Sequence, residues 1–280
     1  MDRRTLVLGA VAYDPKVVTI WEGFKAFFAE RELDFDYVLY SNYERQVEAQ
    51  LNGDLHVGWS SPLAWLQTVH AAKLRGRTAE AIAMRDTDRD LTSLVLVRSD
   101  SPIRDVADLR GKTIGVGASD SPQATLIPLQ HLADCGLDPE RECTLVVHDV
   151  LAGKHGDHIG GERDAVRALS AGKVDAACVI DGNHVLFARE GTIASGSVRV
   201  LCRTPPFDHC NFTVLDDAPR ALVSRFRELL LSMSYDDPRV RTLLELEGLK
   251  AWKPGRTEGY ALLDRAVDRT GWMRDWLAGI

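Results

Sequence analysis

Short apolar runs and longer amphipathic stretches alternate along this chain, and the alternation is written twice. Residues 5–12, 35–40 and 55–59 read as strands, with helices at 17–30 and 43–51 between them. The same order returns with strands at 113–117, 144–148 and 174–180 and helices at 123–135 and 163–171. The punctuation repeats as well. Leu51-Asn52-Gly53-Asp54-Leu55-His56-Val57-Gly58-Trp59-Ser60-Ser61 reappears in outline as Leu169-Ser170-Ala171-Gly172-Lys173-Val174-Asp175-Ala176-Ala177-Cys178-Val179-Ile180-Asp181. Each copy is a helix end, a glycine-polar stop, an apolar strand, and polar residues at the strand's carboxyl end. Two β-α-β-α-β units predict an α/β protein of two lobes, with ligand-facing loops at strand carboxyl ends and function in a cleft between lobes.

The intervening segments set the expected boundaries. Arg85-Asp86-Thr87-Asp88-Arg89-Asp90 is a charged turn, followed by a strand at 92–98 and turn chemistry at Ser99-Asp100-Ser101-Pro102. Beyond Ile180 a helix around 184–189 precedes a strand at 198–202 and the extended Thr204-Pro205-Pro206. The strands at 92–98 and 198–203 are candidates for two crossings between lobes, which would make a hinge. Helices at 218–233, 238–246 and 258–269 are expected to return to the first lobe. Lobe 1 is therefore expected at 1–89 and 203–280, and lobe 2 at 90–202. Trp252, Trp272 and Trp276 are expected in the C-terminal helices, packed on lobe 1.

Composition narrows the classes. The 280 residues are 45% hydrophobic and 27% charged, as in a soluble globular protein, and the net charge of −7 opposes nucleic-acid binding. No apolar run approaches the roughly 18–20 residues that span a bilayer. Arg3-Arg4 before residues 5–12 faintly resembles a signal peptide, but Tyr13-Asp14-Pro15-Lys16 interrupts it and the run supplies the first strand. A cytoplasmic location is expected, or a periplasmic one if the start site is misassigned. Five scattered cysteines without a CxxC suit reduced thiols, although a pair meeting in space stays open.

Three motifs carry a family likeness. Gly53-Asp54-Leu55-His56-Val57-Gly58-Trp59-Ser60-Ser61-Pro62-Leu63-Ala64 is close to Gly-x-Val-Asp-Val-Ala-Trp-x-Gly-Pro-x-Ala; Asp105-Val106-Ala107-Asp108-Leu109-Arg110-Gly111-Lys112-Thr113 matches a "DLKGKT" segment; Gly172-Lys173-Val174-Asp175-Ala176, followed by Asp181, matches a second strand. From about residue 6 to 216 the chain resembles the phosphate/phosphite/phosphonate-binding branch of ABC-transporter substrate-binding proteins, which have the type 2 periplasmic-binding-protein fold. The resemblance implies a small-molecule ligand, hinge closure and a transporter or enzyme partner. It puts Ser119-Asp120-Ser121-Pro122 where the family has an oxyanion loop. It also puts Glu162-Arg163-Asp164 where the family brings a histidine into the ligand shell.

The candidate ligand residues are Tyr13, Ser60 and Ser61 on the first lobe, with Ser119, Asp120, Ser121, His158 and Asp181 on the second. Ser121-Pro122 and Ser61-Pro62 have the form of helix starts, whose converging backbone N–H groups suit an anion; ordinary capping accounts for them equally. Asp120 would compete with an anion for those donors unless it points away, so a ligand with both an acidic and a cationic part is favoured. Asp181 is placed to meet an amine, order Asn183 or cap a helix. Residues 148–164 hold four glycines and three histidines in a loop too polar for core. His155, His158, His209 and Cys210 have metal-binding types, but their spacing matches no established site and no metal or cofactor is expected. Two functions remain. One is a binding protein closing on a small polar, anionic or zwitterionic molecule. The other is a cofactor-independent lyase on the same fold, resembling the cytoplasmic menaquinone-pathway lyases, with His158 or His209 as catalytic group.

Overall fold

The computed structural model describes residues 5–150, 152–156 and 160–280. The chain divides into two compact units: Met1–Arg89, Asp208–Tyr260 and Asp275–Ile280 form unit 1, and Asp90–Phe207 with Ala261–Arg274 form unit 2.

Unit 1 begins with the expected β-α-β-α-β run: β1 (Leu6–Val11), α1 (Lys16–Ala29), β2 (Phe35–Tyr40), α2 (Tyr43–Leu51) and β3 (Val57–Ser60). It continues through α3 (Pro62–Leu74) and β4 (Ala79–Arg85). β1 pairs in parallel with β2 and β3. Strands β5 (Ser93–Arg98), β6 (Thr113–Val116), β7 (Thr144–Val147), β8 (Ala176–Ile180) and β9 (Val198–Arg203) belong to unit 2, and β10 (Asn211–Leu215) and β11 (Trp252–Pro254) return to unit 1. The first sheet runs β11-β4-β10-β3-β1-β2, with β10 antiparallel between β3 and β4. No strand is expected at 211–215 from the sequence pattern, so this insertion is a finding of the structure. It matters for function: an antiparallel strand delivers its first residues to the edge where its parallel neighbours end.

One face of this sheet holds an aromatic core. Trp21, Phe24 and Phe28 recur at helical spacing on α1 and meet Phe212 of β10, Trp252 of β11 and Phe226. Ring centroids lie 5.1 Å apart for Phe212 and Trp252 and 5.2 Å for Phe212 and Phe226. Trp252 is thus a strand residue, not a helical one. Trp276 does pack on unit 1, beside Val11, Tyr43 and Leu215.

Unit 2 has the sheet β7-β6-β8-β5-β9, with β6 parallel to β7 and β8, and β5 antiparallel to β8 and β9. Strand alternation splits β5 between two cores: Val95 and Val97 join one, Leu94 and Leu96 the other. The strands expected as hinge crossings therefore pair with each other inside this sheet. Its helices are α4 (Ile127–Asp134), entered through a π-turn at Pro122–Leu126, α5 (Pro139–Glu142), α6 (Glu162–Ser170) and α7 (Asp181–Arg189). In unit 1, α8 (Arg220–Ser232) and α9 (Pro238–Glu247) follow β10.

The segment after Tyr260 differs from the expected division, which places residues 203–280 with the first lobe. Helix α10 (Ala261–Thr270) groups with unit 2. Arg265 reaches Asp134 at 2.9 Å, and Arg269 reaches Gln130 at 2.8 Å and Glu140 at 2.7 Å, tying α10 to α4 and α5. A last short helix, α11 (Trp272–Leu277), closes the chain. Among the described residues no helix is long and apolar enough to cross a membrane, and no disulfide forms.

Candidate functional site

In unit 1 the carboxyl ends of β1, β3 and β4 and the start of β10 share one sheet edge. Tyr13 follows β1 there, half-buried against the aromatic core, with Lys16 5.8 Å from its ring centre. Ser61 caps α3, its Oγ accepting the Ala64 N–H at 3.1 Å, and Pro62 takes the first helical position, where no N–H is needed. Ser60 is fully buried and its hydroxyl has no hydrogen-bond partner among the described residues. A methyl group at Gly58, two residues earlier on the same strand face, would lie 2.8 Å from Gln50 Oε1, 3.1 Å from Gln46 Nε2 and 3.2 Å from Ser60 Oγ. Ser60 therefore faces a buried glutamine pair on α2. Gln46 Nε2 donates to the Trp59 carbonyl and Gln50 Nε2 to the Thr213 carbonyl.

The same edge gathers Asp88, His209 and Cys210. One ligand atom from each lies within 4.8 Å of the others, with Cys210 Sγ 3.1 Å and Asp88 Oδ1 3.5 Å from His209 Nδ1. This trio has ligand types for zinc or copper, but both Asp88 oxygens are already held by the Arg85 guanidinium at 2.5 and 2.8 Å. Burial would raise the Asp88 carboxyl; the Arg85 charge and the bonds from His209 and Arg85 outweigh it and bring it down to about 2. A metal ion would have to share Asp88 with a fixed cation, so the arrangement fits an ion pair with a bound histidine better. Of the other soft candidates, His155 is buried in unit 2, and His158 lies outside the described residues.

Unit 2 builds its counterpart where β6 ends. Ser121 caps the π-turn, its Oγ accepting the Ala124 N–H at 3.2 Å, again with proline next. Thr125 Oγ1 donates to the Ala118 carbonyl at 2.7 Å. Ser119 is exposed and its N–H donates to Asp149 Oδ1 at 2.9 Å. Asp120 Oδ2 accepts the Gly153 N–H at 2.6 Å, which pins the glycine-rich loop. That loop is not merely a solvent-facing flap. Gly156, at φ 61°, packs where a Cβ would stand 2.5 Å from Ser121 Oγ, and His155 is 1% exposed.

Asp181 behaves otherwise than expected. It opens α7 and accepts from Thr92 Oγ1 at 2.8 Å and Arg203 Nη1 at 3.4 Å, so its charge is answered inside unit 2. Asn183 is ordered instead by Glu162, the first residue of α6 and of the stretch Glu162-Arg163-Asp164 that the resemblance aligns with the family's histidine-bearing junction. Glu162 Oε2 accepts the Ile180 N–H at 2.9 Å and Asn183 Nδ2 at 3.1 Å, and Gln123 Nε2 stands 3.5 Å from Oε1. The carboxyl thus spans the loop after β6 and the start of α7. It is fully buried, and burial pushes it up to about 8 against those three hydrogen bonds. The legible signal was an acidic residue at the start of a helix whose next inward positions, Ala165, Val166 and Leu169, are apolar.

A groove of about 830 Å³ lies elsewhere in unit 1, lined by Thr78, Glu80, Leu215 and Arg227 among others. It sits where β4 begins and β10 ends, the opposite sheet edge, and shares none of these residues.

Solved structures share the fold. PhnD1 from Prochlorococcus marinus, in complex with methylphosphonate, superposes with a TM-score of 0.70 at 14% identity, covering 96% of this chain and 99% of that one. A Xanthomonas citri protein bound to ATP gives 0.71 at 18% identity, covering 97% and 98%. The periplasmic aliphatic sulphonate binding protein SsuA from Escherichia coli gives 0.60 at 18% identity, covering 97% and 88%. These show the two-lobed periplasmic-binding-protein architecture. No curated protein matches the chain in sequence. Residues 11–260 match the family model described as ABC transporter, phosphonate, periplasmic substrate-binding protein, and the chain belongs to that family.

Proposed function

We propose that this protein is the substrate-binding component of an ABC transporter for a small oxyanion of the phosphonate or sulfonate type. The observation that carries the reading is the duplicated helix start. Each unit ends a parallel strand at a Ser-Pro turn, Ser61-Pro62 after β3 and Ser121-Pro122 after β6, with the serine capping the helix three residues on. Such turns present backbone N–H groups and the positive end of a helix dipole to an anion. Family membership supports a small-anion ligand, a transporter partner and a periplasmic setting; the cytoplasmic expectation and the lyase alternative find no support in these likenesses.

The finer reading is that both half-sites take part and that the units close on the ligand. Isothermal titration with methylphosphonate, inorganic phosphate, methanesulfonate and 2-aminoethylphosphonate tests the ligand class. At least one is expected to bind stoichiometrically and unchanged. Absence of binding by all four, or conversion of one to product, would remove this reading.

A further inference from the structure

The interior of unit 1 beneath β3 is polar. Gln46, Gln50 and Ser60 are 0%, 2% and 0% exposed. Gln46 Nε2 donates to the Trp59 carbonyl at 3.1 Å and Gln50 Nε2 to the Thr213 carbonyl at 2.8 Å. These bonds fix both amides, because a flipped amide would set oxygen against carbonyl oxygen. Gln46 Oε1, Gln50 Oε1 and Ser60 Oγ are left without a hydrogen-bond partner among the described residues. A third glutamine, Gln67, shares the α3 face of Ala64 and Ala71, which pack with Val47 and Leu51 of α2. It is fully buried, and neither of its amide atoms has a partner among the described residues. Native interiors pair nearly all such groups, with protein or with ordered water.

Geometry shows where the partner belongs. Gly58 lies on the same strand face as Ser60, two residues earlier. A Cβ at Gly58 would stand 2.8 Å from Gln50 Oε1, 3.1 Å from Gln46 Nε2 and 3.2 Å from Ser60 Oγ. Gln50 Oε1 and Ser60 Oγ thus flank one spot without bonding to each other, a gap that two hydrogen bonds of about 2.8 Å to a shared atom bridge. Water matches the groups on offer: it accepts the Ser60 O–H and has two hydrogens, for Gln50 Oε1 and Gln46 Oε1. About three partners is the usual number for a buried water. A cation fits poorly, because these three oxygens are neutral, whereas hard cations take about six oxygens or more, carboxylates among them.

We infer that unit 1 has a buried water site, in which one water joins Ser60 Oγ to Gln50 Oε1 and Gln46 Oε1, and that Ser60 is a positioning residue behind the anion half-site rather than a ligand contact. The water site stands without the oxyanion-binding reading; the positioning role rests on it. Gln46 holds the Trp59 carbonyl, and the water holds the Ser60 hydroxyl. Helix α2 therefore grips both residues that lead into the Ser61-Pro62 turn. The N–H groups of that turn are set in place before an anion arrives, which lowers the ordering cost of binding.

Crystal structures of the wild type with and without methylphosphonate test both parts. Each is expected to show one solvent peak within about 3.2 Å of Ser60 Oγ and Gln50 Oε1. No peak overturns the water site, as does a peak ringed by about six oxygens at about 2.4 Å, which would be a cation. A bond from Ser60 Oγ to methylphosphonate overturns the positioning role. Urea unfolding of Ser60→Ala gives an arm in solution whose sign decides. Where water bonds the hydroxyl, alanine removes a hydrogen bond and the midpoint falls; where the hydroxyl is unpaired, alanine relieves a buried polar group and the midpoint rises. A midpoint that rises or stays level therefore overturns the water site. In Gly58→Ala the methyl takes the spot, and magnetic relaxation dispersion of water is expected to count one internal water fewer than in the wild type; an equal count overturns the site. Ser60→Ala is also expected to weaken methylphosphonate binding about threefold to tenfold with the ligand's own contacts kept, and unchanged affinity overturns the positioning role. If methylphosphonate and the other oxyanions bind neither protein, the function proposed above fails and the positioning role with it, while the ligand-free crystal structure and the water count still decide the site.

Discussion

Asp88 and Glu162 are both shielded from solvent, with 2% and 0% exposure, yet burial leaves them with opposite linkages to pH. Asp88 has Arg85 locked across both oxygens, so its carboxyl is held at about 2. Its folded value lies below the ordinary 3.8, so the stabilisation, roughly 2 kcal/mol, is present above pH 3.8 and disappears as pH falls through about 2. Replacing Asp88 by Asn would leave Arg85 buried beside Glu247 alone, 3.5 Å away. Loss of about 3–5 kcal/mol is expected in urea unfolding at neutral pH, and a change under 1 kcal/mol would show that the ion pair is idle. Glu162 runs the other way. Its folded value, about 8, lies above the ordinary 4.5, so its contribution is complete below pH 4.5 and is lost progressively as pH rises to about 8, by roughly 1.4 kcal/mol per unit. Glu162→Gln should therefore gain on the wild type in thermal stability as pH goes from 6 to 9. A melting-temperature difference independent of pH would contradict the burial argument.

Elements whose pattern is local were legible in the sequence. Phe35–Tyr40 and Tyr43–Leu51 have the expected bounds, and the second β-α-β-α-β run falls within a residue or two of expectation except at the helix expected over 123–135, whose first residues form the π-turn Pro122–Leu126 so that α4 begins only at Ile127; glycine stops and apolar periodicity act over a few positions. What was hidden depends on partners distant in the chain. β10 is a strand because it completes hydrogen bonding for both β3 and β4, across more than a hundred residues. Asp181 could not reveal from sequence that Thr92 and Arg203 would claim it. The polar interior under β3 left a readable trace: on α2 the buried stripe Tyr43, Val47, Leu51 also contains Gln46 and Gln50, polar residues where an apolar face is due. The two serine caps allow a paired prediction. Ser61→Ala and Ser121→Ala should each cost about 1 kcal/mol of stability through the lost N–H partner. Gly156→Ala should cost more than either, since φ is positive there and the new methyl would strike Ser121. Denaturant unfolding of the three variants orders them, and a neutral Gly156→Ala would mean the loop does not pack on Ser121 in solution.

At the scale of the whole molecule, contacts divide the chain so that it passes between units at 89/90, 207/208, 260/261 and 274/275, where the sequence alone suggests two passages. A ligand held by one unit and a ligand held by both make different demands on such a chain. In either case binding to the folded state alone raises stability, by about 2.7 kcal/mol at a ligand concentration of 100 times the dissociation constant. Only a shared ligand makes both half-sites contribute to affinity. If the serine hydroxyls also meet the bound anion, Ser61→Ala and Ser121→Ala should each weaken methylphosphonate binding by about 1–3 kcal/mol beyond their effect on folding. Ligand addition should also reduce the radius of gyration in small-angle scattering, because closure brings mass inward. An affinity drop confined to Ser121→Ala, with no compaction, would leave unit 2 as the binding unit and remove closure from the mechanism. An affinity unchanged in both variants would mean that the serines serve only as helix caps and that the anion is held by other groups.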